Sequence, residues 1–305
     1  MKYAACVNRR DAVLEPEREG LRLGARFLDY AEVKTLRPVN HRVMIDTFSG
    51  ETVELSMLGF SFDGFWEELT ARFGARSMEA LFVEEKLLMR CDGEFRTARE
   101  SGRGQIALYE DAVCILPQSC HALRIPLCFA EELRADGYLL HLGLRSGSRF
   151  TVGRMGYDTQ PFFERAAQAA ARVKQRREAA LAGKALEAPF TEKGLFRTAR
   201  PETWWRAAYG KGCCALELET GDDAATYLYR FSEDERLFAL RLEEAMEAMG
   251  THREIIVTPE EQLADKPLCR MAIERSEAVR FLRERSAGRL IHSAAHAQRL
   301  AEFLG

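Results

Sequence analysis

Three stretches of this chain repeat one plan, and an internal repeat constrains the fold more than any single motif, because a missed repeat miscalls the whole architecture. They are HRVMIDTFSGETVELSMLGFSFDGFWEELTARF from His41, YLLHLGLRSGSRFTVGRMGYDTQPFFERAAQAA from Tyr138 and GCCALELETGDDAATYLYRFSEDERLFALRLEEAM from Gly212. Each reads as strand, glycine turn, strand, capped helix. The spacing that carries Gly50 onto Gly147 and Gly221 also carries Phe60 onto Tyr157 and Phe231, and Ser61 onto Asp158 and Ser232. Ser and Asp side chains accept the orphan N–H groups of a helix's first turn, so that column predicts three N-caps. The aromatic before each cap predicts a hydrophobic staple onto Phe65 and Phe162 at N4. In the third copy Arg236 stands at N4, and Ser232 with Glu235 predicts a capping box instead.

The following helices are amphipathic. Phe62, Phe65, Trp66, Leu69 and Phe73 form one stripe, and Phe163, Ala166, Ala170 and Val173 form another. Val43, Ile45 and Thr47, then Leu140, Leu142 and Leu144, then Cys214, Leu216 and Leu218 alternate with period two, as half-buried antiparallel strands do. After the turn, Val53 and Leu55 match Phe150 and Val152. The third copy offers Ala224 and Thr226, one residue out of phase, which predicts a bulge or shifted register. Upstream, REGLRLG, ARFLDY and AEVKTL in the first copy and MRCDGEFRTA, QIALYED, AVCILP, HALRIPL and AEELRA in the second read as short strands. Six or seven antiparallel strands followed by one helix exclude a βαβ fold.

That order resembles the pleckstrin-homology-like superfold, specifically bacterial PH and GRAM-type domains. The closest stretch runs from GQIALYED through RIPLCFAEEL to the aromatic-led helix at Phe162. The resemblance implies a mainly β architecture with α (α+β): tandem PH-like β-barrel or sandwich domains, each closed by a C-terminal helix. Trp66 falls near the position where PH domains carry a tryptophan on that helix, and Phe163 and Leu237 replace it later. The units are residues 1–78, 79–183 and a degenerate 184–250, followed by a helical C-terminal tail, 251–305, that packs back on the last repeat or the junction. Length alone, 305 residues at about 150 per domain, suggests two domains, and the repeat revises that count.

A net charge of −3 argues against nucleic acid as the main partner. Eight cysteines with no C-x-x-C pair read as small apolar residues of a protein from a reducing cytoplasm. Arg9, Arg10 and Asp11 sit where a signal peptide needs its apolar stretch, and no run approaches the length of a membrane span.

No nucleophile elbow, P-loop or dinucleotide fingerprint stands in a strand-to-helix setting, so the expectation is a non-catalytic protein without a cofactor. Arg96, Arg99 and Arg103 lie between the first two strands of the second unit. PH domains bind inositol phosphates at that loop, so the resemblance implies an anion site there. Trp204, Trp205 and Tyr209 form a candidate interaction patch. His292 and His296, four apart on an expected helix, share a face but lack a third metal ligand. Arg172, Lys174, Arg176 and Arg177 read as a solvated helix face. Two functions follow: a scaffold that binds a protein or peptide, by strand addition among other routes, or a binder of an anionic lipid headgroup or phospho-ligand. An enzyme with an unrecognised site comes third.

Overall fold

The computed structural model describes residues 1–181, 195–197, 204–219, 225–249, 252, 254–263 and 265–305. The first unit holds β1 (Tyr3–Val7), β2 (Arg10–Pro16), β3 (Gly20–Leu23), β4 (Arg26–Asp29), β5 (Val33–Val39), β6 (Arg42–Thr47), β7 (Thr52–Ser56) and α1 (Phe62–Ala80). The second repeats the order with β8 (Leu87–Arg96), β9 (Ser101–Tyr109), β10 (Ala112–Leu116), β11 (Leu123–Pro126), β12 (Ala130–Asp136), β13 (Leu139–Leu144), β14 (Arg149–Gly153) and α2 (Thr159–Leu181). The third holds β15 (Leu195–Arg197), β16 (Trp204–Gly210), β17 (Cys213–Glu219), β18 (Ala225–Arg230) and α3 (Glu235–Met249). Beyond it come α4 (Glu254–Val257), α5 (Glu260–Leu263), α6 (Pro267–Arg275), α7 (Glu277–Arg285), β19 (Ser286–Ile291) and α8 (His296–Leu304).

Helix and strand contribute almost equally, 38% and 40%, so the architecture is mixed rather than mainly β. The sheet orders are β4-β3-β2-β1-β7-β6-β5, β11-β10-β9-β8-β14-β13-β12 and β15-β16-β17-β18-β19, all antiparallel. In each seven-stranded sheet the two edge strands are consecutive in sequence, joined by a single 3-10 turn, Tyr30–Glu32 or Leu127–Phe129. The sheet must therefore curl until its edges meet at that corner, yet no ladder joins them. The expected barrels are open.

The predicted stripes face the core. Phe65, Leu69 and Phe73 of α1 are buried against Val43, Ile45, Val53 and Leu55, and Ala166, Ala170 and Val173 of α2 against Leu140, Leu142 and Val152. Burying each such side chain contributes about 1.5–3 kcal/mol. The caps differ from the sequence expectation. Ser61 and Asp158 end 3-10 turns that lead directly into the helices, and their own N–H groups bond Leu58 O (3.0 Å) and Met155 O (3.3 Å). The Ser61 side chain caps nothing. In the third unit Asp234, not Ser232, accepts the N–H of Leu237 (3.1 Å). No staple forms in the first two units either, because the 3-10 turn swings the aromatic outward. Phe60 is 112% exposed and Tyr157 103%.

The irregularity expected in the third unit does not fall between β17 and β18, whose pairing runs unbroken from Cys213↔Arg230 to Glu217↔Thr226, but on the other side of β18, where the pairing with β19 shifts register between Leu228 and Tyr229. Both faces of β18 are also covered. Ala225, Tyr227 and Tyr229 join the main core, and Leu228 packs with Ala208, Ala215 and Leu300 of α8. The tail is likewise not purely helical: β19 pairs with β18 as an edge strand. Its α6 packs on α1 and its α7 on α3, and the first and third units share one continuous buried cluster. The Gly183–Pro189 linker and the Thr220–Ala224 turn lie outside the described residues.

The second unit docks onto the first through backbone as well as side chains. Leu36 N donates to Gln118 O (2.7 Å) and Cys120 N to Lys34 O (2.8 Å), so the edge of β5 is occupied from within the molecule. Met78 and Leu81 at the end of α1 cover the outer face of β9 and β10, which explains why all five residues of β10 are buried.

Candidate functional site

A cleft opens where the second sheet meets the helices that follow the third. The stripe of Phe238, Leu242, Ala245, Met246 and Met249 seats α3 on the core, and the same helix packs beside β11. Its flank then turns Arg241, Glu244 and Ala248 toward β11 and the β13–β14 turn. Leu123, Leu144 and Phe150 form the sheet wall, and Ala278 and Phe281 of α7 the opposite one, around a cavity of about 140 Å³. Ser146 N donates to Glu244 Oε1 (3.1 Å), and burial pushes that carboxyl above its usual range. Next to it lies a second cavity of about 100 Å³, sharing Leu123, Ser148, Phe150 and Glu277 and adding Thr97, Arg99, His121, Arg149 and Arg275.

Two charge clusters, one buried and one partly buried, fix the walls. Arg124 on β11 pairs with Asp111 and donates through Nη1 to Phe82 O (3.3 Å) and Ala248 O (2.7 Å), tying the second sheet to the segment after α1 and to α3. Glu243 of α3 pairs with both Arg145 and Arg177, whose guanidinium groups lie 4.6 and 4.9 Å from the Phe129 ring centre. Arg177 is therefore structural, Lys174 bonds Ala130 O (2.5 Å), and of that basic run only Arg172 and Arg176 are exposed.

The arginines singled out from the sequence separate. Arg96 and Arg103 lie on the exposed face of β8 and β9, Arg103 opposite Glu94, whereas Arg99 in the turn lines the smaller cavity, 4.0 Å from Glu277. Arg275, which sequence reasoning missed, lines the same cavity. Its signal was present: it stands four residues from Met271 and four from Val279, in the apolar stripe of the tail helices. Trp204 and Trp205 belong to β16, but their side chains lie outside the described residues. Tyr209 does not join an exposed patch, since its ring packs edge-on against Phe231 and Phe238, 6.5 Å from each. All eight cysteines are free, and Cys114, Cys128 and Cys214 are buried as apolar fillers.

No protein-family model and no curated protein matches the chain. Among the described residues no helix is long and apolar enough to cross a membrane, and no cluster of His, Cys, Asp and Glu is arranged to hold a metal.

His292 and His296 do not share a helix, because β19 ends at Ile291 and α8 starts at His296. Their rings lie 4.3 Å apart, and both Nε2 atoms reach the buried Thr226 Oγ1, at 3.1 and 2.8 Å. One hydroxyl carries one proton, so at least one imidazole is the donor. Burial, then the neighbouring His292, pull the pKa of His296 below 6.5. A histidine whose folded pKa is depressed stabilises the fold fully above its unfolded value, and that contribution is lost as pH falls from 6.5 toward the folded value. Amide exchange in residues 296–304, corrected for intrinsic rate, is expected to rise relative to α1 as pH falls through that window. Parallel behaviour of the two helices would refute it.

Proposed function

We propose that this chain is a non-catalytic binding protein, built of two PH-like units and a reduced third, that takes its ligand in the cleft between β11, the β13–β14 turn, α3 and α7. One observation carries this reading: apolar and polar side chains from three separate parts of the chain converge on a concave site whose walls are pinned by one buried and one partly buried ion pair. Preformed, largely apolar sites with a few placed polar groups are the usual form of ligand pockets. Eight free thiols suit a cytoplasmic home.

A protein or peptide partner is the second reading. The edges of β5 and β11 are engaged internally, and β12 is bulged at Ala130/Glu132 and lined with charge, which disfavours strand addition at those three edges. Its support comes instead from Phe60 and Tyr157, fully exposed rings at equivalent positions of two units.

A thermal-shift screen of the full chain against metabolites and short peptides tests both. Ligands are expected to raise the melting temperature of the wild type but not of Ala278→Phe, which fills the cavity, with circular dichroism confirming the variant's fold. Ligands that ignore Ala278→Phe and are lost in Phe60→Ala/Tyr157→Ala would move the binding surface to the aromatics.

A further inference from the structure

The larger cavity of the cleft exists because small side chains line it. Ala245 and Ala248 on α3 and Ala278 on α7 face it, while Leu242, Met246 and Leu282 of the same helices fill the core beside them. Leu123, Leu144, Phe150 and Phe281 complete an apolar wall. The volume, about 140 Å³, is close to the ~150 Å³ of an apolar cavity that stays dry and takes up one benzene. Size and lining therefore suit a single six-membered ring better than a cluster of waters.

The polar groups of the lining narrow what that ring carries. Arg124 is committed to Asp111 and to two carbonyls, and Arg241 and Glu277 are exposed and keep their hydration. Glu244 is the half-buried acid of the lining, bonded by Ser146, whose hydroxyl lies 3.2 Å from that of Ser148. An ionised carboxylate only accepts hydrogen bonds, so the group that meets it must donate one, and an anion is repelled. Arg145 and Arg241 already offset its charge, so an ammonium would be repelled by two guanidinium groups. A neutral donor meets neither objection. Burial, the largest influence on Glu244, raises its pKa, which is the mark of a carboxylate that has lost water a ligand's donor can replace.

We propose that the cleft binds an uncharged ligand through one benzene-sized aromatic ring that carries a hydroxyl or N–H donor, with the ring among Leu144, Phe150, Ala245, Ala278 and Phe281 and the donor on the Glu244 carboxylate. The proposal rests on the reading of the cleft as the ligand site and names the chemical class of that ligand. The ring supplies most of the buried apolar area, and the donor fixes its orientation, since a hydrogen bond to a charged acceptor is roughly twice as strong as a neutral one.

The test titrates the full chain with phenol, toluene, benzoate and benzylamine, following saturation transfer from protein to ligand by NMR. Phenol is expected to bind saturably, and each of the other three about tenfold or more weaker. Glu244→Ala should bring phenol down to the affinity of toluene and leave toluene itself unchanged, a difference that mere loosening of the cleft would not produce. Ala278→Phe should abolish binding of both. If Glu244→Ala does not fold, the ranking of the four probes on the wild type still decides. Toluene binding as tightly as phenol, benzoate or benzylamine binding more tightly, wild-type phenol affinity in Glu244→Ala, or no saturable binding of phenol would each overturn the proposal. If it fails while ligands from the thermal-shift screen still depend on Ala278, the cleft stands as a site for another class of molecule. If Ala278→Phe alters the binding of no ligand, the reading of the cleft falls with it.

Discussion

Replacing Arg124 by methionine should destabilise the chain by about 3–5 kcal/mol, the range for breaking a buried ion pair by removing one partner. Arg124 and Asp111 are 7% and 4% exposed, so the carboxylate left behind has no access to bulk water. The substitution also strips a donor from Phe82 O and Ala248 O, at the two points where the segment after α1 and the end of α3 meet the second sheet. Each buried carbonyl left bare adds to the cost. Most of the effect comes from the orphaned charge rather than from lost attraction, so Arg124→Met/Asp111→Leu should recover much of the loss, because apolar replacement of a buried pair is often neutral or better. Urea denaturation of the three variants checks this. A cost below about 1 kcal/mol for the single variant, or a double variant worse than the single, would contradict it.

The same residue illustrates what the sequence does not display. Strands and helix faces were legible because period two and period 3.6 are written in residue types: Val43, Ile45, Val53 and Leu55, or Phe65, Leu69 and Phe73, announce a face whatever they pack on. Strands β1 and β2 were harder, since their turn at Asn8 and Arg9 takes positive φ at both positions (49° and 68°) without a glycine to mark it. Covering of a second face was invisible too. The run AVCIL says that β10 is buried on both sides, but not that Met78 and Leu81 lie over it. Caps failed for a local reason: a 3-10 turn satisfies the first N–H groups with carbonyls, and the serine or aspartate at its end has nothing left to cap.

The candidate site was half legible by the same logic. Arg99 stood out as a cation in a turn. Arg275 did not, because an arginine in the last turn of a helix normally faces water and favours the helix dipole. Only its place in the stripe between Met271 and Val279 marks it as inward-facing, and that stripe crosses a helix break at Ser276, where strict periodicity is lost. Docking contacts such as Leu36 with Gln118 use backbone, which carries no sequence signal at all.

Phe238→Ala should be the second severe lesion, again about 3–5 kcal/mol, for loss of a large core side chain. Phe238 is fully buried, stacked on Phe231 with centroids 4.3 Å apart, edge-on to Tyr209 and 5.8 Å from Phe281 of α7. It thus stands where the third sheet, α3 and the tail helices meet. Phe231 fills the column that Phe60 and Tyr157 occupy in the other units, so Phe60→Ala makes a matched control, expected within about 0.5 kcal/mol of wild type because that ring touches little but solvent. The location of the damage is as informative as its size. The buried cluster that contains Phe238 continues without interruption to Val43, Ile45, Val53 and Leu55 in the first sheet, through α6 on α1 and α7 on α3. A core that is continuous should unfold as one cooperative unit. Hydrogen exchange in β6 and β7 should therefore accelerate in Phe238→Ala as much as in β17 and β18, although no atom of Phe238 belongs to that sheet. Faster exchange confined to β16, β17, β18 and α3, with the first sheet unchanged, would mean that the two units are packed together but fold independently.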